Sequence, residues 1–172
     1  MAHKIILISG DHPDVGKTYM ADRIVNQFKG QIIKSSFAAP LKELVFDFLG
    51  LDKKQVGNKE FERYWNLKSV YQMVGEGFKH FDDSIWASKL RDKFIQSESP
   101  MVIDDLRFPV ERGLFSKALH IHIKRNIEDP RDRIMREQYS GYLQRKSHIV
   151  FRNGEDSFQD LFDKVEEYIN RD

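Results

Sequence analysis

The stretch Lys4–Phe28, KIILISGDHPDVGKTYMADRIVNQF, sets a strand pattern and a helix pattern on either side of a short loop. Lys4–Ser9 is a continuous apolar run, as expected of a strand covered on both faces. Met20, Ile24, Val25 and Phe28 recur at helical spacing, and Gly30 closes that run. Between them, Gly16-Lys17-Thr18 matches the end of the G-x-x-x-x-G-K-[ST] phosphate loop. The beginning is out of step, because five residues rather than four separate Gly10 from Gly16. Counted back from Gly16, the first loop position is Asp11.

Strand, loop and helix in this order turn backbone N–H groups at a helix N-terminus toward an anion. Gly16 permits close backbone approach, Lys17 would reach the β- and γ-phosphates of ATP, and Thr18 would ligate Mg²⁺. Asp11, His12, Pro13, Asp14 and Val15 complete the expected donor loop, with the extra length taken up among Asp11 to Pro13. Asp11 and Asp14 place negative charge near a polyphosphate, which makes binding depend on Mg²⁺ or nearby arginines. The alternative is a strand-turn-helix connection whose Lys17 is merely solvated.

Outward from this loop the chain alternates. Gln31–Phe37 reads as a second strand, and Pro40 opens a helix ending at Gly50. From Asp52 to about Phe81 the pattern is helical but irregular. A helix through about Gln96 is followed by a third strand from Pro100, a short helix PVERGLFSK and a fourth strand ALHIHIKR. A charged helical segment runs from Asp129 or Pro130 to about Arg145, and His148–Asn153 gives a fifth strand. Ser157 caps a last helix with Phe158, Leu161, Phe162, Val165 and Ile169 as an apolar stripe. Alternating strands and helices imply an α/β fold with a mostly parallel sheet covered on both faces. His120 and His122 share one face of the fourth strand and read as satisfied core or strand-end residues rather than metal ligands.

The chain has 172 residues, enough for one domain with a proper core. Its 28 Lys and Arg balance 27 Asp and Glu, which disfavours nucleic acid as the main ligand. The absence of cysteine excludes disulfides, cysteine nucleophiles and thiolate metal sites. No apolar run reaches bilayer length, so the expectation is a soluble cytoplasmic chain without membrane partners.

A second signature follows the third strand: IDDLRFPVE, Ile103–Glu111. A carboxylate at the carboxyl end of a parallel strand beside a phosphate loop is placed where Mg²⁺ and substrate meet. Arg107, two residues beyond Asp105, can offer a phosphate its planar fork of donors. An Asp-Arg surface pair at a helix entry is the alternative.

Here the chain resembles the bacteriophage deoxynucleoside monophosphate kinases, relatives of adenylate kinase and dephospho-CoA kinase. Asp105-Leu106-Arg107-Phe108-Pro109-Val110-Glu111 is similar to their D-V-R-F-P-N-E. FAAPLKE (Phe37–Glu43), YQMVGEGFK (Tyr71–Lys79) with Trp86, and IVFRNGEDSFQDLF (Ile149–Phe162) resemble further family segments in the same order. The departures are the longer phosphate loop, Lys79 where Arg is frequent, and YLQRKSHIV before the last strand.

The resemblance implies a P-loop NTPase-type three-layer sandwich with a five-stranded sheet. It implies one domain over 1–172, with a helical cap for the monophosphate at about 38–81 and a short lid at about 126–147. It implies transfer of the γ-phosphate of ATP to a (deoxy)nucleoside 5'-monophosphate, in host cytoplasm if the chain is phage-encoded; a homodimer is left open. Lys17, Asp105, Arg107, Arg131, Arg133 and Arg136 would be catalytic, although a solvated charged helix also accounts for the last three. Arg125, Asn153 and Gly154 would join the donor site, and Thr18, Asp104 and Asp105 the Mg²⁺ site. Phe37, Lys42, Trp65, Tyr71, Gln72 and Lys79, with Arg107, would hold the acceptor; for the aromatics, core packing is the alternative. A dephospho-CoA kinase-like acceptor and a nucleotide-binding module without catalysis remain open.

Overall fold

The computed structural model describes residues 4–97, 99–125 and 138–171. Its strands are β1 Ile5–Gly10, β2 Ile33–Ser35, β3 Met101–Ile103, β4 Leu119–Arg125 and β5 Ile149–Asn153. They form one sheet in the order β2-β3-β1-β4-β5, with every pairing parallel. β1 is central and buried at each residue, which explains why its sequence shows no polar alternation.

The helices are α1 Lys17–Gln27, α2 Ala39–Phe48, α3 Lys59–Tyr64, α4 Leu67–Lys79, α5 Ile85–Ile95, α6 Pro109–Leu114, α7 Ser140–Arg145 and α8 Phe158–Asn170. On one face of the sheet, Met20, Ala21 and Ile24 of α1 and Leu161, Phe162 and Val165 of α8 pack on Ile6, Ile8 and Ile121. On the other, Leu90 and Phe94 of α5 and Leu143 of α7 cover Leu7 and Ile103. This is the expected three-layer α/β arrangement. A third cluster, Leu41, Val45 and Trp86 with Val70, Tyr71, Val74 and Ile85, joins α2, α4 and α5.

Several boundaries differ from the sequence expectation. β2 is Ile33–Ser35 rather than Gln31–Phe37, because among the described residues it is an edge strand paired with β3 alone, which offers three residues. The irregular segment after Asp52 resolves into a 3₁₀ turn at Lys53–Gln55, α3 and α4. Asn58 caps α3 by accepting the N–H groups of Glu60 and Phe61, and Asn66 separates α3 from α4 with a left-handed φ of 51°. Of the charged helix expected to Arg145, only α7 falls within the described residues. Arg131, Arg133 and Arg136 lie outside them.

The register brings two loops together. Leu7 pairs with Ile103, and Leu106 N–H donates to the Ile8 carbonyl at 3.2 Å. The segments that follow β1 and β3 therefore leave the same carboxyl edge of the sheet, where ligands of open parallel sheets bind.

Candidate active site

Gly10 ends β1, and the Asp11 N–H donates to the Ile123 carbonyl of β4 at 3.2 Å. Pro13 and Asp14 are exposed, while Val15 is buried and turns back over Gly10. A Cβ on Gly10 would lie 2.4 Å from Val15 Cγ1, so the return needs glycine there. Pro13 and Asp14 thus form the exposed crest of the loop. Gly16 has a left-handed φ of 105°, strained for any side chain. Asn153 Nδ2 donates to the Val15 carbonyl at 3.3 Å, so this side chain braces the loop.

Lys17 is buried, and its Nζ donates to the His12 carbonyl at 3.2 Å, folding back along the loop. Thr18 is exposed in the first turn of α1. His12 Nδ1 is buried without a hydrogen-bond partner among the described residues. A helix N-terminus, a left-handed glycine, an inward-turned lysine and an unsatisfied ring nitrogen fit a polyphosphate. Among the described residues no group of three His, Asp or Glu could hold a metal unaided. Mg²⁺ needs no such group, since it takes one or two protein ligands with phosphate oxygens and waters; Thr18, Asp104 and Asp105 are the residues that would hold it.

Asp104 and Asp105 have different surroundings. Asp104 is buried, with Oδ2 3.4 Å from Lys34 Nζ. The half-buried Asp105 carboxylate faces the cleft: Oδ1 accepts the Phe37 N–H at 2.7 Å and Oδ2 the Ala38 N–H at 3.3 Å. It thereby ties the end of β3 to the entry of α2. Burial pushes its pKa up to about 6, against the two amides and with help from neighbouring Asp104.

Arg107 is exposed on the rim. Glu111, not singled out by sequence, is buried beneath it and accepts the N–H groups of Arg107 at 2.9 Å and Phe108 at 3.0 Å. Burial pushes Glu111 up to about 7. Lys79 Nζ stands 3.8 Å from the centre of the Phe108 ring. These groups border a cleft of about 370 Å³ whose wall includes Phe37, Leu41, Tyr71, Gln72 and Trp86.

Of the acceptor residues expected from sequence, Phe37, Tyr71, Gln72, Lys79 and Arg107 therefore share one cleft. Phe37 is buried against Phe115, a core position at the cleft floor. Trp65 is half exposed, packs on Phe61 and Tyr64, and does not line this cleft. Lys42 is set back from the wall by Glu62, which it meets at 2.9 Å. Glu62 also accepts the Tyr71 hydroxyl at 3.2 Å and the Gly57 N–H at 3.0 Å. Trp86, expected on the apolar face of its helix and within a family segment, donates its Nε1–H to the Gly75 carbonyl at 3.4 Å. Arg125 pairs in register with Asn153 and, with Lys124, Arg152 and Glu155, borders a recess of about 160 Å³. Gly154 follows with a φ of 93°.

No protein-family model matches the chain, and no curated protein matches it in sequence. Among solved structures it is similar to dephospho-CoA kinase from Campylobacter jejuni, with 14% identity, coverage of 96% of this chain and 94% of that one, and a TM-score of 0.49. It is also similar to shikimate kinase from Acinetobacter baumannii in complex with shikimate, with 10% identity, coverage of 98% and 93%, and a TM-score of 0.49. Likenesses of this degree carry nothing about substrate.

Proposed function

We propose that the chain is an ATP-dependent kinase that transfers the γ-phosphate to a (deoxy)nucleoside 5'-monophosphate. The observation that carries this is the shared sheet edge: the loop with Lys17 and the cleft with Asp105 and Arg107 follow adjacent parallel strands. Phosphoryl transfer asks mainly for two phosphates to be placed in line and their spread charge neutralised.

An oxygen of the acceptor phosphate attacks the γ-phosphorus, the bond to the β-bridging oxygen breaks, and ADP leaves. Lys17 stabilises charge on the migrating group. Thr18 with Asp104 or Asp105 would hold Mg²⁺, which would supply neutralisation of the phosphate charge. Arg107 and Lys79 bind the acceptor phosphate, Gln72 hydrogen-bonds the base edge, and Tyr71 offers it an aromatic face. Segment 38–81 serves as the cap. Arg125, Asn153 and Gly154 border the donor base, and Arg131, Arg133 and Arg136 add cations from the lid segment.

The mostly apolar wall of Phe37, Leu41 and Trp86 favours a second reading, transfer to another phosphorylated small molecule as in dephospho-CoA kinases. A coupled ADP-release assay over all common ribo- and deoxyribonucleoside monophosphates and dephospho-CoA separates the two. Monophosphate-dependent release is the expected result. Release with dephospho-CoA alone selects the second reading, and ATP binding with no release from any acceptor leaves a non-catalytic module.

A further inference from the structure

A chain of buried polar side chains runs beneath the phosphate loop. Ser9, His120, His122, Asp11 and Ser140 are all buried. Ser9 Oγ lies 2.7 Å from His120 Nε2 and 2.8 Å from His122 Nδ1. His122 Nε2 lies 3.0 Å from Asp11 Oδ1, and the Ser140 hydroxyl donates to the same oxygen at 2.8 Å. A carboxylate only accepts, so His122 Nε2 carries hydrogen. The Ser9 hydroxyl meets both His120 Nε2 and His122 Nδ1. His122 Nε2–H and the Ser140 hydroxyl thus converge on Asp11 Oδ1.

Asp11 is thus turned inward, where the sequence reading placed its charge against the polyphosphate. Its N–H holds β4 at Ile123, and its side chain holds β4 at His122 and α7 at Ser140. The other foot of the loop is pinned at Val15 by Asn153. Only Pro13 and Asp14 stand out between the two feet.

We infer that Asp11 is a positioning residue of the donor site: it anchors the entry of a loop one residue longer than usual, so that Gly16 and Lys17 keep their place beneath the phosphates. The inference rests on the kinase reading and goes beyond it, because it assigns Asp11 to the loop backbone rather than to the ligand.

The test measures the Kd of Mg·ATP by calorimetry on the full chain, with the acceptor KM and thermal midpoint recorded alongside. The proteins are the wild type, Asp11→Asn, Ser140→Ala and the double variant. Asp11→Asn keeps the shape and removes the charge that the donors converge on. Misplacing the loop should weaken ATP binding about 10-fold or more while the acceptor KM holds. Ser140→Ala should weaken it less, and the double variant should fall short of the sum of the single effects, because the two residues share a hydrogen bond at Asp11 Oδ1. Tighter ATP binding in Asp11→Asn overturns the inference, since that is the response of a charge facing the polyphosphate. A lower thermal midpoint with unchanged Kd also overturns it, leaving Asp11 merely structural. If Asp11→Asn does not fold, Ser140→Ala decides, and an unchanged Kd there counts against the inference. A folded wild type that binds no ATP removes the kinase reading itself, and the inference with it.

Discussion

The Glu111 carboxylate reaches back along the first turn of α6 to accept the backbone N–H of Arg107 at 2.9 Å. With the Phe108 N–H at 3.0 Å it satisfies two amides at the helix entry and fixes the peptide that carries Arg107. A buried acid thus fixes the backbone that carries an exposed cation at the rim of the cleft.

The titration of Glu111 should appear in stability. Its folded pKa of about 7 exceeds the ordinary 4.5, so the folded chain keeps a proton that the unfolded chain releases. Its contribution is complete below the unfolded value and is lost as pH rises through the folded one. Asp105, raised from 3.8 to about 6, acts in the same direction. The urea midpoint of the wild type should fall between pH 5 and 8, and Glu111→Gln should flatten that fall by on the order of 2 kcal/mol. Equal slopes in the two proteins would remove Glu111 as the titrating group.

Asp105→Asn should cost more than Asp104→Asn at saturating Mg²⁺. An asparagine at 105 can accept the Phe37 N–H but presents its own amide to the Ala38 N–H, loosening the entry of α2. Asp104 has one ion pair at 3.4 Å to lose. The expected loss at Asp105 is about 10²-fold in kcat/KM. A larger loss at Asp104 would mean that it, not Asp105, is the carboxylate on which transfer depends.

Asp14 stands on the exposed crest of the phosphate loop. Its charge opposes a polyphosphate until Mg²⁺ offsets it. Asp14→Ser should therefore narrow the ratio between ATP affinities with and without Mg²⁺ several-fold. An unchanged ratio would show that this carboxylate does not tune the site.

The fold was legible where burial forces a pattern. β1 reads as a continuous apolar run because both its faces are covered. β2 was overextended, since Gln31 to Phe37 looks strand-like while only Ile33–Ser35 finds a partner. The cleft residues Tyr71, Gln72 and Lys79 were legible through family segments. Trp65 lies off the cleft wall, and its place was not legible because an aromatic residue type says nothing about which way the side chain faces. Glu111 escaped notice because its capping arrangement starts at Phe108, where no Ser or Thr marks a helix entry. The inward turn of Asp11 was illegible for a different reason: His122 and Ser140 lie 111 and 129 residues away in sequence.

Lys17→Ala should leave a folded protein, because α1 remains anchored by Met20, Ala21 and Ile24. Transfer should fall by about 10³-fold or more, since the loop lysine acts on charge that develops during the reaction. Near-normal turnover in a folded variant would remove Lys17 from the donor site.

The decisive measurement follows the label from γ-labelled ATP incubated with the chain, Mg²⁺ and a mixture of nucleoside monophosphates. Label in the β position of a nucleoside diphosphate, absent with Lys17→Ala, is the expected result. Label that stays on ATP, or leaves only as inorganic phosphate, while the protein is folded and binds ATP, would contradict transfer to a nucleoside monophosphate.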